Sequence, residues 1–189
     1  AAVATATDST GNTSEFSVCH VVTAPGTVQF ISSFQFVPEQ AGGVTISVSR
    51  TLGSVDSGTV SYATSSGTAT TGTDFTASSG TLTFGPGETV KSFTIPIVND
   101  QLNEDAETIN LTLSNATGFS LGDRNTSLVT IGDNDPLPTL SIDDATNGEG
   151  DTGLAELQFK LNLSAPSGRS LSVRFNTLAG SASGGSDYQ

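Results

Sequence analysis

Cysteine is almost missing from this 189-residue chain. Cys19 stands alone, so no internal disulfide can form, and metal sites of the Cys₂ or Cys₄ type are excluded. His20 is the single histidine and sits beside that cysteine in a polar segment, which leaves Ser–His–Asp or Cys–His catalysis little to work with. Trp and Met are absent and aromatic residues make up only 6%. Paired carboxylates could be read as glycosidase acids, but the aromatic cleft that chemistry favours is not there. Bases are scarce too, with 6 Lys and Arg against 19 Asp and Glu and a net charge of −13. Nucleic acid is thereby excluded as a partner, because phosphate binding needs clustered cations, and an anionic membrane surface is disfavoured for the same reason. No run approaches the roughly 20 apolar residues of a membrane helix, so no membrane-spanning segment is expected. Residues 1–20 lack the charged start and apolar centre of a signal peptide. Ala at position 1 and the absence of Met read as an excerpt of a longer chain.

What fills the chain is Thr (28), Ser (26) and Gly (21), a composition that favours strands and turns over helices. Little Cys with much Ser and Thr fits a bacterial surface protein that folds without disulfides. Residues 1–22 hold one alternating strand around Val3 and a polar turn, too little to stand alone, and read as the tail of an upstream repeat-type β domain. Residues 23–27, with Ala24-Pro25-Gly26, read as a linker. Over 28–136 the period of two recurs. Phe30, Phe34 and Phe36 mark a first segment, followed by Val44, Ile46 and Val48, then Val60 and Tyr62, then Leu82 and Phe84 before Gly85-Pro86-Gly87. Beyond that turn come Phe93, Ile95 and Ile97, then Ile109, Leu111 and Leu113, and last Val129 and Ile131. About seven short strands with turn signals between them predict an all-β, immunoglobulin-like antiparallel β-sandwich.

The pattern then restarts. Gly67–Phe75 (GTATTGTDF) and Gly180–Tyr188 (GSASGGSDY) share glycines, hydroxyl residues, an Asp and a terminal ring at matching places, and Val44, Ile46 and Val48 become Leu157, Phe159 and Leu161 at the same offset. Residues 137–189 are expected to be the N-terminal half of a second sandwich of the same kind.

Antiparallel succession of the strands places the acids. Glu39, Asp74, the loop from Asn99 to Glu107 and the run Asp133-Asn134-Asp135 fall at one pole, while Asp56, Glu88 and Asp123 fall at the other with Arg124. Carboxylates gathered without Lys or Arg among them repel unless a cation sits between them. Oxygen ligands without His or thiolate suit Ca²⁺, with its six to eight irregular oxygens, better than Mg²⁺. A solvated acidic end that keeps the protein soluble is the other reading. EF-hand spacing is absent.

These residues carry a resemblance. The strings GTATTGTDF, FGPGE, NDQLNEDAE and TIGDNDP make residues 28–136 similar to the Calx-beta domain, a module of sodium–calcium exchangers, integrin β4 and bacterial surface proteins, and PTLSIDD through GGSDY resembles the first half of another. The resemblance implies an immunoglobulin-like sandwich with Ca²⁺ in its distal loops. By position it implies as ligands Glu39, Asp74, Asp100, the carbonyl of Leu102, Glu104, Glu107, Asp133 and Asp135. Asn99 and Gln101 stand where the exchanger's sensor domain has further acids, and Asn134 interrupts its acid run, which implies fewer ions or weaker binding.

The reading that results is a non-catalytic, Ca²⁺-binding repeat of a larger secreted or cell-surface (membrane-associated) protein. Ca²⁺ would stiffen the loops and the linker that leads from Asp135-Pro136 to Thr139, in the service of adhesion or cell communication. The expected partners are calcium ions, neighbouring modules of the same chain, and a surface protein or glycan. A calcium-independent spacer or adhesin module is the alternative. Asn12, Asn110, Asn115, Asn125 and Asn162 fit N-x-Ser/Thr, which is frequent by chance in so hydroxyl-rich a chain, and Arg50, Lys91 and Arg124 are expected at the surface.

Overall fold

The computed structural model describes residues 9–11, 26–51, 56–148 and 152–188. Apart from the turn at 9–11, the expected upstream tail over 1–22 lies outside the described residues, as do Cys19 and His20. The chain divides into two compact units, Ala1–Asn99 with Glu107–Gly132, and Asp100–Ala106 with Asp133–Gln189.

The first unit is a β-sandwich. One sheet has the order β6-β3-β1-β8, from β1 (Gly26–Phe30), β3 (Gly43–Thr51), β6 (Val90–Pro96) and β8 (Phe119–Leu121). The other has the order β2-β9-β7-β4-β5, from β2 (Phe34–Pro38), β4 (Gly58–Ser66), β5 (Ser79–Phe84), β7 (Glu107–Thr117) and β9 (Thr126–Gly132). Each strand turns one set of alternate residues inward, so Val44, Ile46 and Val48, then Phe93 and Ile95, then Ile109, Leu111 and Leu113 are buried while their neighbours remain wet. Aromatic pairs join the two layers. Tyr62 of β4 stacks on Phe93 of β6 with ring centroids 3.8 Å apart, and Phe84 of β5 meets Phe119 of β8 edge to face at 5.7 Å. Gly58 permits the second contact, since a Cβ there would stand 2.3 Å from the Phe119 ring.

Among the described residues nine strands rather than about seven make the sandwich, and two pairings are parallel, β1 with β8 and β2 with β9. The expected single segment from Phe30 to Phe36 is two strands, because the chain crosses from one sheet to the other at Ile31–Ser33. Phe30 is fully buried, while Phe34 and Phe36 are 52% and 58% exposed on an edge strand. β1 also begins at Gly26, inside the expected linker.

The expectation that Arg50 serves the surface is overturned. It continues the inward series Val44, Ile46, Val48 and is 2% exposed, its guanidinium 5.2 Å above the Phe119 ring and its Nη1 donating to the Asp56 carbonyl at 2.6 Å. Arg124 is exposed but tethered, its Nε donating to the Phe30 carbonyl at 3.0 Å. Lys91 pairs with Glu88 at 2.7 Å. That hydrogen bond, with one from the Gly85 N–H, holds the Glu88 carboxyl below its ordinary 4.5.

Strand direction sets the unit's poles. β4 and β9 run opposite to β7, β2 runs with β9, and β6 runs opposite to β3. The Val98 N–H donates to the Asp74 carbonyl at 2.9 Å, tying the chain beyond β6 to the loop beyond β4. The C-terminal ends of β2, β4, β6 and β9 therefore share one pole.

In the second unit β10 (Leu140–Ile142) pairs antiparallel with β11 (Leu161–Leu163). Leu157, Phe159, Leu161, Val173 and Phe175 are exposed, Phe175 by 89%. The repeated motif builds one turn twice. Thr70 N–H donates to Asp74 Oδ2 at 2.6 Å and Asp74 N–H returns to the Thr70 carbonyl at 3.1 Å, while Ser183 and Asp187 make the same two bonds at 2.7 and 3.0 Å. Gly72 and Gly185, at φ of 97° and 86°, take the left-handed position both turns require. Among the described residues no helix is long and apolar enough to cross a membrane.

Candidate metal centre

In the first unit the three expected acids come from three strand ends. Glu39 opens a short 3₁₀ turn (Glu39–Ala41), which Gly42 closes, and its side chain belongs to the buried set at 9% exposure. Asp74 is half-buried at the foot of the Gly72 turn, one carboxylate oxygen spent on the Thr70 N–H. Glu107 begins β7, and a carboxylate oxygen of it lies within 4.8 Å of one from Asp74. Thr108 next to it is bound to the β4–β5 loop through Thr68, which fixes the start of β7 beside Asp74.

The second unit holds the other five, on the loop Asp100–Ala106 and the segment from Asp133. Short polar residues fold both locally. Asp100 Oδ1 accepts from the Leu102 N–H at 2.7 Å, and Asp133 Oδ1 accepts from the Asp135 N–H at 3.2 Å, each a turn closed by its own side chain. Asn103 joins the two, its Nδ2 donating to Asp133 Oδ2 and to the Asp135 carbonyl, both at 2.8 Å. Carboxylate oxygens of Asp100 and Asp135 lie within 4.8 Å of each other. Two oxygens here are buried with no hydrogen-bond partner among the described residues, Asp135 Oδ2 and Asn103 Oδ1. Leu102, half-buried, supplies its N–H to the Asp100 turn. Glu104 is packed over Gly168, where a Cβ would stand 2.4 Å from its Oε1.

Two features differ from expectation. The acids are not free of bases, since Arg169 pairs with the exposed Asp105, while Gly168 N–H donates to the Asn103 carbonyl at 3.2 Å. Asn103, only 6% exposed, is not among the expected ligands, since its amide carries no charge to mark it in the sequence. Its place between Asp100 and Glu104 in an acid-rich loop was the available signal. Asn134 points away into solvent.

Chemically the set is all oxygen, from carboxylates and one amide, at angles imposed by loops. That donor chemistry fits a hard divalent cation of loose geometry and offers nothing to a soft metal. A buried carboxylate oxygen and a buried amide oxygen, both lacking donors, are what such an ion would satisfy.

The model of the Calx-beta domain family matches residues 22–135 and 142–189. Sodium/calcium exchanger 1 of Rattus norvegicus is 28% identical over 169 residues, 79% of this chain and 17% of the exchanger. The extracellular matrix organizing protein FRAS1 of Homo sapiens is 28% identical over 174 residues, 85% of this chain and 4% of that protein. The chain thus spans a small part of the curated relatives it matches. Among solved structures, the apo form of the Calx CBD1 domain is 31% identical with a TM-score of 0.57, covering 58% of this chain and 98% of that one. The calcium binding domain CBD12 of CALX1.1 is 31% identical with a TM-score of 0.56, covering 57% of this chain and 44% of that one.

Proposed function

The chain belongs to the Calx-beta domain family, and on that premise we propose that it is a non-catalytic, calcium-binding repeat of a larger secreted or cell-surface protein. The observation that carries the proposal is the pair of partnerless buried acceptors, Asp135 Oδ2 and Asn103 Oδ1, among half-buried carboxylates. Leaving such an acceptor unpaired costs about 1–3 kcal/mol, and more when it is charged, so the arrangement makes physical sense around a cation. The proposed ligands are Glu39, Asp74, Asp100, the carbonyl of Leu102, Glu104, Glu107, Asp133 and Asp135, with Asn103 Oδ1 added.

Calcium would neutralise the carboxylates and order the loop Asp100–Ala106 together with the segment that runs from Asp133 to β10. A module stiffened at its outgoing linker suits an extended surface protein engaged in adhesion or cell communication. The relatedness to an exchanger and to an extracellular matrix protein supports a cell-surface or extracellular setting. Bacterial origin, proposed from the disulfide-free and hydroxyl-rich composition, is part of the same reading. So is the division into a sandwich over 28–136 and the N-terminal half of a second over 137–189, with neighbouring modules as partners. The likeness to CBD12 of CALX1.1 supports such an arrangement.

Thermal melting in millimolar Ca²⁺ and in excess chelator tests the proposal. At 100 times its dissociation constant, calcium bound only to the native state adds about 2.7 kcal/mol, so the calcium curve lies higher. Coincident curves from a folded sample refute it.

A further inference from the structure

We infer that Asn147 is a site of self-catalysed deamidation, in which the chain's own backbone supplies the nucleophile. Asn147-Gly148 is the one Asn-Gly pair in the sequence, and it lies in exposed, irregular chain beyond β10. Glycine leaves its amide nitrogen unshielded by any Cβ and the backbone free to turn. The side chain is already folded back on that nitrogen, for the Gly148 N–H donates to Asn147 Oδ1 at 2.9 Å. At the other end Asn147 Nδ2 donates to the Glu156 carbonyl at 3.0 Å, which holds the carboxamide in place.

The reaction uses only water. Solvent hydroxide removes the Gly148 amide proton, the nitrogen bonds to Asn147 Cγ, the Cγ–Nδ2 bond breaks, and ammonia leaves after taking a proton from water. The resulting five-membered succinimide is opened by water at either carbonyl, giving aspartate or isoaspartate, so one water enters for one ammonia lost. Four of the other described asparagines are held differently, and none of the others is followed by glycine. Asn103 is buried with its amide engaged twice, Asn110 and Asn115 lie in β7, and Asn162 lies in β11 with its amide on Asp143.

The product changes the loop. A carboxylate cannot donate to the Glu156 carbonyl, so the bond from residue 147 is lost. The new charge joins Asp143, Asp144 and Glu156 around one open recess lined also by Lys160. Like charges then press the Asp143–Gly148 stretch away from Glu156.

The test is incubation of the whole chain in warm, mildly alkaline buffer, with peptide mapping by mass spectrometry and fragmentation that separates aspartate from isoaspartate. The expected result is exchange of the side-chain amide for hydroxyl at residue 147, at a rate that rises with pH, with both isomers formed. Gly148→Ala should slow the exchange several-fold. That variant is unstrained, because nothing lies within 4 Å of the added Cβ and the φ is not left-handed. An intact Asn147 after incubation, exchange no faster there than at the other asparagines, or an unchanged rate in Gly148→Ala overturns the inference.

Discussion

Replacing Asp135 by Asn should stabilise the calcium-free protein and blunt its response to calcium. In the wild type Asp135 Oδ2 is buried without a donor, and a carboxylate oxygen of Asp100 lies within 4.8 Å. Two unit charges at that separation repel by about 1 to 3.5 kcal/mol between the fully hydrated and partly buried limits. Both side chains are half-exposed, so solvent screening favours the lower figure. Asn keeps the shape, removes one charge, and turns an amide donor toward the Asp100 carboxylate. A gain of about 1 kcal/mol in the apo state corresponds to a rise of roughly 4–8 °C in melting temperature for a unit the size of Asp100–Ala106 with Asp133–Gln189. With calcium present the balance reverses, because the variant has lost a charged ligand, and it should keep less than half of the roughly 2.7 kcal/mol that calcium adds at 100 times the dissociation constant. Scanning calorimetry of wild type and variant, each in chelator and in calcium, gives all four numbers. If the variant melts lower than wild type in chelator while its calcium response is intact, Asp135 is a structural acceptor and the reasoning fails.

Asn103→Ala removes two donors and leaves Asp133 Oδ2 and the Asp135 carbonyl unmet, so it should cost about 1–3 kcal/mol in apo melting and weaken calcium binding as well; a variant that binds calcium as wild type does counts against Asn103 as organiser of the centre. Arg50→Ala empties a core position beneath which the Phe119 ring lies, and it should destabilise by about 3 kcal/mol or more by urea titration, far beyond a surface substitution, which stays within about 0.5 kcal/mol. Glu88 should titrate by carbon-detected NMR below 4.5, and Lys91→Ala should move it back upward, since the Lys91 hydrogen bond is the larger cause of the depression. Because the folded value is the lower one, whatever stability the pair contributes is present above 4.5 and is lost as pH falls through the folded value.

The spacing of two was a reliable guide wherever a strand has one wet face. It located β3, β6, β7 and β9 by their inward residues, and the same parity brought Asp74 and the ends of β6 and β9 to one pole. Local spacing says nothing, however, about which sheet a strand joins. The crossing at Ile31–Ser33 and the parallel pairing of three-residue β8 with β1 depend on contacts some 90 residues apart in sequence, and neither leaves a local mark. Arg50 falls on the inward beat after Val48, and that position, not its charge, decides its burial. In the candidate centre, acids could be counted from the sequence, but Asn103's role as bridge depends on two loops meeting, which composition cannot express. Asp105, which the resemblance does not place among the ligands, faces solvent and pairs with Arg169.

Calcium binding itself is measured by isothermal titration of the chelator-treated 189-residue chain with CaCl₂. Saturable binding is expected in the range of weak extracellular sites, about 10⁻⁴ to 10⁻³ M, clearly weaker in both Asp135→Asn and Glu107→Gln while both variants remain folded. No saturable heat from folded wild-type protein across that range, or binding that neither variant alters, would contradict it.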